Sequence, residues 1–284
     1  MKENYQFKDE KLVVSDPELE IVIEERFAPR LLPEKLEPSE ALVVKRNSEG
    51  KLLCAYFEQE GVLEGQYCFY YPNGRKSAEC FYFSGKLHGP SRVYTEEGKC
   101  ISETWFYQDR REGKAKRYYR SGKLCSLERY KQGVFHTKQE YYYEEGTLKS
   151  VIPYREGCLE GQVLLYWPTG QKKRECHFQK GMRSGWDRLW DPQGILLDAG
   201  SYEKGEATGK HQRFFQKGEI QEERLYHSPS RFDVKEWDNL GNLILEGTFH
   251  SSLHYTEKTW KEGVEEKREG IWKEGRICWG SDVN

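Results

Sequence analysis

The 284-residue chain balances 45 Lys and Arg against 47 Asp and Glu, a formal charge of −2. So small an imbalance gives no overall field that would favour nucleic acid or an anionic membrane. Hydrophobic residues make up 36% and aromatics 14%, with 19 Tyr, 13 Phe and 8 Trp; this argues against a thick aliphatic core and suits a thin sheet, because Tyr and Trp join an apolar ring to a polar handle.

The start, MKENYQFKDEKLVV, has no apolar h-region and no cleavage pattern, so no classical secretory leader is expected. No apolar run approaches the roughly 18 residues of a spanning helix. A cytoplasmic location is the expectation, and non-classical export would leave no sequence mark. Residues 1–45 carry Pro17, Pro29, Pro33 and Pro38 and no repeat. Within them Leu19–Ile23 predicts one strand, and the rest predicts an extended, Pro-punctuated arm or cap.

A repeat array is expected over residues 46–262. Gly50, Gly74, Gly98, Gly122, Gly146, Gly170, Gly194 and Gly218 follow one another at 24 residues, then Gly241 at 23 and Gly263 at 22. A fixed period of this size marks stacked supersecondary units. Each unit holds two turn signals. Pro72-Asn73-Gly74 is the strongest of the first kind and predicts a tight primed turn, with positive φ at both central residues. The second is G-x-x-x-G, as in Gly61/Gly65, Gly85/Gly89, Gly157/Gly161, Gly181/Gly185 and Gly205/Gly209; three units break it with Asp109, Thr137, or Pro229 with Asp233. Between turns lie two runs of about seven residues rich in Tyr, Phe, Trp and Val, which read as strands. The fold expected is all-β: an elongated, single-layer antiparallel β-meander of eight to nine 24-residue hairpin repeats. A parallel β-helix is the rival, and the hairpin-type turns favour the antiparallel choice. Residues 263–284 are expected to form a C-terminal cap, with Arg276–Gly280 closing the last edge.

An even period returns equivalent positions to the same face, so side chains form columns. One column is Tyr70, Tyr94, Tyr118, Tyr142, Tyr166, Trp190 and Phe214; a second is Tyr82, Phe106, Tyr130, Tyr154, Phe178, Tyr202 and Tyr226. Packing is the first expectation for both, and a ligand platform on the first column is the functional one. Lys51, Arg75, Lys99 and Lys123 follow the first four anchoring glycines and predict a basic stripe, which would suit an anionic partner or lipid headgroups.

Y-Y-P-N-G-R at 70–75, G-K-L-H-G at 85–89 and the aromatic-rich strands resemble the MORN repeat, and look closest to the bacterial variant labelled antitoxin-type. The resemblance covers roughly residues 47–262. It implies an elongated, curved antiparallel sheet and a binding or scaffolding role, sometimes at membranes, rather than catalysis. The chain departs from the family by its longer 24-residue period and by the three broken glycine pairs, which put a uniform surface in question there.

Catalytic and metal chemistry finds no support. Gly205–Gly209-Lys210 is one residue short of a phosphate loop and has His211 where Ser or Thr would be needed. His250 and His254 lack an evident third ligand. Glu79, Glu103 and Glu175 share a phase and are expected to form a solvated ladder. Cys54, Cys68, Cys80, Cys100, Cys125, Cys158, Cys176 and Cys278 contain no CxxC pair and predict scattered reduced thiols. The expectation is therefore a non-enzymatic scaffold that needs no cofactor and binds a protein through its aromatic surface. A peripheral module for anionic lipid and an antitoxin-like binder of a partner toxin are the alternatives.

Overall fold

The computed structural model describes residues 4–8 and 10–279. The first three residues of the start read for a leader, and Gly280 of the closing segment, lie outside them. Every regular element among the described residues is a strand, and the chain divides into two compact units, residues 1–158 and 159–284.

In the first unit the repeats form an antiparallel meander through Leu52–Gln59, Val62–Tyr70, Lys76–Phe83, Gly89–Tyr94, Cys100–Tyr107, Gly113–Tyr118, Leu124–Lys131, Thr137–Tyr142 and Leu148–Arg155. In the second, Gly161–Tyr166, Lys172–Gln179, Met182–Trp190, Leu196–Glu203, Glu206–Phe214 and Ile220–Ser228 continue the same hairpin pattern. All these pairings are antiparallel, so the parallel alternative falls.

The two turn kinds are the reverse of the expectation. At the anchoring glycine, Tyr71 N–H donates to Arg75 O and Gly74 N–H to Tyr71 O. Only Gly74 has positive φ there, and the register shifts just before it, between Phe69 and Tyr70. This is a longer turn ending in a left-handed glycine, with a bulge in the strand that enters it. The primed turns are the others: Ser84 and Gly85 have φ of 50° and 77°, and Glu156 and Gly157 50° and 80°. Gly263, counted with the anchors by spacing, also sits in this second kind, with Glu262 and Gly263 at 50° and 82°. Two of the three broken glycine pairs keep the geometry, because Asp109 (67°) and Thr137 (55°) take up the left-handed backbone themselves; Pro229 and Asp233 do not.

Primed turns in the middle of the array hang from the unit before them. Gly85 N–H donates to Leu63 O, Gly133 to Arg111 O and Gly181 to Leu159 O, each at 2.9 Å. A side chain adds a second tie: Glu64 accepts from Ser84 N–H at 2.7 Å, Glu112 from Gln132 at 2.8 Å and Glu160 from Lys180 at 2.7 Å.

The N-terminal segment departs most from expectation. In place of one strand it forms a three-stranded antiparallel sheet of β1 (Asn4–Lys8), β2 (Lys11–Asp16) and β3 (Ile21–Arg26). Alternation along β2 sends Leu12, Val14 and Asp16 inward. Asp16 Oδ1 accepts from Glu18 N–H at 2.9 Å and fixes the bend into β3. Leu12, Val14, Leu19, Ile21 and Phe27 then pack with Phe81 and Trp105 of the repeats. Burial of each such side chain contributes roughly 1.5–3 kcal/mol.

Candidate functional site

The first aromatic column falls on the bulges. Tyr70 pairs with Lys76, Tyr118 with Leu124, Tyr142 with Leu148, Tyr166 with Lys172, Trp190 with Leu196 and Phe214 with Ile220, each after a register shift. Tyr94 pairs with Cys100 in the same way. All seven rings are half-buried. The residue after a column member ties units together: Tyr71 donates its hydroxyl to Tyr94 O and Tyr119 to Tyr142 O, both at 2.7 Å, and Trp167 Nε1–H donates to Trp190 O at 3.1 Å. These three recur at 48 residues, a doubled period that was present in the sequence and unread.

Members of the second column reach one another through intervening rings. Phe135 lies 4.9 Å from Tyr130 and 5.1 Å from Tyr154; His211 lies 5.1 Å from Tyr202 and 4.8 Å from Tyr226.

In the first unit the face of Phe81 and Trp105 is covered by the N-terminal sheet. The contact is aromatic at its centre, with Phe7 4.6 Å from Phe81 and Tyr5 5.7 Å from Trp105. Around it runs a set of charges. Lys114 Nζ lies 3.2 Å from buried Asp16 and 3.5 Å from Glu18; buried Arg129 lies 3.1 Å from Glu18 and 2.7 Å from Glu140. Lys131 reaches Glu20 at 3.2 Å. His88 is 1% exposed, with Nε2 3.0 Å or less from a carboxylate, 2.5 Å from Glu25 Oε1, but without hydrogen-bond geometry. It is edge-on to Phe27 at 4.7 Å.

In the first unit this cover touches the sheet at Gly65, Gly89 and Gly113, which share one phase of the repeat. A Cβ at Gly113 would lie 2.5 Å from the Tyr5 ring, and one at Gly65 would lie 2.6 Å from Arg30 O. At Gly89 the Phe27 ring would be 3.6 Å away. No charge or hydropathy signal marked this surface; the acidic residues of Asp16–Glu20 set against Lys114, Arg129 and Lys131 were the available clue.

Glu79 corrects the expectation of a solvated ladder. It is 8% exposed and accepts from Tyr94 Oη at 2.6 Å, Lys76 Nζ at 2.9 Å and Gln66 Nε2 at 3.1 Å. Gln66 Oε1 in turn accepts from Leu32 N–H at 3.0 Å. One network thus joins the N-terminal arm to the aromatic column. Burial alone would lift the Glu79 carboxyl, but Tyr94, Lys76 and Arg92 outweigh it and hold it below its ordinary value. Burial pushes Tyr70 up to about 12, with Cys68 beside it adding to the rise.

The basic stripe is exposed at all four positions. Its cations are partly engaged at home. Lys51 Nζ lies 2.8 Å from Glu49, while Arg75 and Lys123 donate to Glu96 O at 3.2 Å and Glu145 O at 3.4 Å. Glu96, Glu97, Glu144 and Glu145 occupy the same turns, so the edge is of mixed sign.

His250 bonds Thr256 at 2.9 Å and His254 bonds Ser251 at 3.1 Å. Lys210 pairs with Glu223 at 2.7 Å, and Lys204-Gly205 is another primed turn. Among the described residues no group of His, Cys, Asp and Glu is placed to hold a metal ion, and no helix is long and apolar enough to cross a membrane.

Residues 63–84, 111–132, 135–156 and 159–180 match the family described as MORN repeat variant. No curated protein matches the chain. Forty chains of solved structures match. One, reported as "Crystal Structure of TcdB2-TccC3-Cdc42", is 11% identical over 84% of this chain, with a TM-score of 0.19. This chain spans 16% of that chain's length, and so low a TM-score supports no argument about shape or role.

Proposed function

We propose, from the premise that the chain is a MORN-repeat protein, that it is a non-enzymatic scaffold that binds a protein partner on the aromatic face of its repeats. MORN repeats often take part in protein or membrane interactions and are generally non-enzymatic. The observation that carries the protein reading is the N-terminal sheet. In the first unit the repeat face already holds a polypeptide segment, through aromatic contacts and buried ion pairs. Tyr and Trp supply large rigid contact area, the kind of side chain that dominates interface energetics. The mixed sign of the turn edge favours this reading over anionic lipid, since Lys51 already pairs with Glu49.

The test is comparative affinity capture from the native host. Wild type, a Tyr142→Ser/Tyr166→Ser variant and a charge-reversed Lys51→Glu/Arg75→Glu/Lys99→Glu/Lys123→Glu variant are compared at equal folded concentration. A protein retained by wild type and the charge-reversed variant but lost from the tyrosine variant supports the proposal. Loss from the charge-reversed variant alone, together with salt-sensitive binding to anionic vesicles, overturns it in favour of the membrane.

A further inference from the structure

We infer that the second unit carries a self-association face, on which two copies of the chain dock by each seating Trp186 on the other's glycine floor at Gly185 and Gly209. The inference concerns the part of the repeat face around Trp186, and its test reads association of the chain with itself, so it can fail while the partner-binding proposal stands.

The first unit supplies the template. There a left-handed glycine opens a floor for a ring from outside the repeats: Tyr5 over Gly113, where φ is +81°, and Phe27 over Gly89, where it is +102°. Beside Gly89 the sheet's own neighbour is Phe81 Cβ, 3.8 Å from where a Cβ would stand. The second unit repeats this geometry. A Cβ at Gly185 (φ +82°) would lie 3.6 Å from His177 Cβ, and one at Gly209 (φ +62°) would lie 3.5 Å from Ser201 Oγ. His177 and Ser201 stand eight residues before their glycines, as Phe81 does before Gly89. Apart from their own chain neighbours these are the only atoms of the described residues within 4 Å of either position, so both floors are open there.

The apolar side chains that could fill such floors, one ring and one leucine, stand on the same face. Trp186 pairs with Ser201 and is 54% exposed; Leu225 pairs with Lys210 and is 46% exposed. Arg188 lies over the Trp186 ring at 5.1 Å. An exposed Trp is of the type that anchors interfaces, and Leu225, three strands away on the same face, adds a second apolar point. A patch that holds both the ring and the floor for a ring is complementary to itself, which is what a twofold, isologous contact demands. Its charges suit this: Lys210 pairs with Glu223 at 2.7 Å and Lys172 with Glu175 at 2.8 Å, so apposing two copies sets no single sign against itself. The six strands from Gly161–Tyr166 to Ile220–Ser228 span roughly 24 Å by about 26 Å. That is roughly 600 Å² of face per copy, the low end of what a standard stable interface uses.

The experiment is sedimentation equilibrium of the full chain over a wide concentration range, for wild type, Trp186→Glu, Leu225→Lys and the control Val264→Lys, with far-UV melts to confirm each is folded. Wild type and the control are expected to sediment at twice the chain mass. Trp186→Glu and Leu225→Lys are expected to raise the dissociation constant at least roughly 30-fold, the size of a hot-spot loss. A wild type that stays monomeric at roughly 100 μM overturns the inference. So does a folded Trp186→Glu protein that dimerises as tightly as wild type. Should Trp186→Glu fail to fold, Leu225→Lys decides by the same measure.

Discussion

Tyr94 and Glu79 sit 15 positions apart on the paired strands of one unit and share a hydrogen bond of 2.6 Å, the hydroxyl donating to a carboxylate that is almost wholly buried. Because the Glu79 carboxyl is held below its ordinary value of 4.5, its contribution to stability is present above that value and is lost as pH falls through the lower, folded one. Tyr94→Phe is expected to cost about 1.5–3 kcal/mol at neutral pH, the scale of a hydrogen bond to a charged group. The difference from wild type should shrink as acid protonates Glu79, and urea unfolding at pH 7 and at successive steps below about 4.5 measures it.

Asp16 is 1% exposed; it lies 3.2 Å from Lys114 Nζ and accepts from the Tyr5 hydroxyl at 2.8 Å. Removing one member of a buried pair leaves the other uncompensated. Asp16→Ala is expected to cost roughly 3–5 kcal/mol in the first unit, and Asp16→Ala/Lys114→Met less than the sum of the two single changes. A double-mutant cycle by urea unfolding checks the non-additivity.

Thr137 stands where most units have the second glycine, at φ 55°, and its Oγ1 is buried without a hydrogen bond. A β-branched residue there is strained. Thr137→Gly is expected to leave stability unchanged or raise it by up to about 1 kcal/mol, since relief of strain and of the orphaned hydroxyl offsets the added chain entropy. Thermal melts of the two proteins decide it; a fall of several degrees would show the hydroxyl is needed.

Gly113 and Gly185 have nearly equal φ, +81° and +82°, but only Gly113 has a ring from the N-terminal sheet against it. Ala at either position carries the same backbone penalty. Gly113→Ala should therefore cost about 1–3 kcal/mol more than Gly185→Ala, the scale of overpacking. It should also speed hydrogen exchange in β1 at Asn4–Lys8, which Gly185→Ala should not.

The glycine period made the strand count, the hairpin order and the two columns legible, because turns demand residue types that recur in a single sequence. Turn type was less legible. Asn73-Gly74 has the composition of a primed turn, but the bulge that lengthens it depends on how Tyr70 pairs with Lys76, and a register shift has no composition of its own. The N-terminal sheet was nearly invisible: β2 shows only the short alternation Leu12, Val14, and its stability comes from Phe81 and Trp105, some 70 to 90 residues away. Glu79 was read as solvated because an isolated sheet face is open to water. Tyr94 closes over it from the same unit and Gln66 from the preceding one, so the closure is complete only when adjacent units stack.

The carboxylates of Glu64, Glu112 and Glu160 each hold a backbone amide in the unit that follows their own. The hydroxyls of Tyr71 and Tyr119 and the Leu87 amide instead find their acceptors in the unit that follows. Trimming a unit from the leading side orphans the Ser84, Gln132 or Lys180 amide, whereas trimming from the trailing side orphans mainly side-chain donors. The two ends thus lose different kinds of bond, and in staged truncations they should fray unequally.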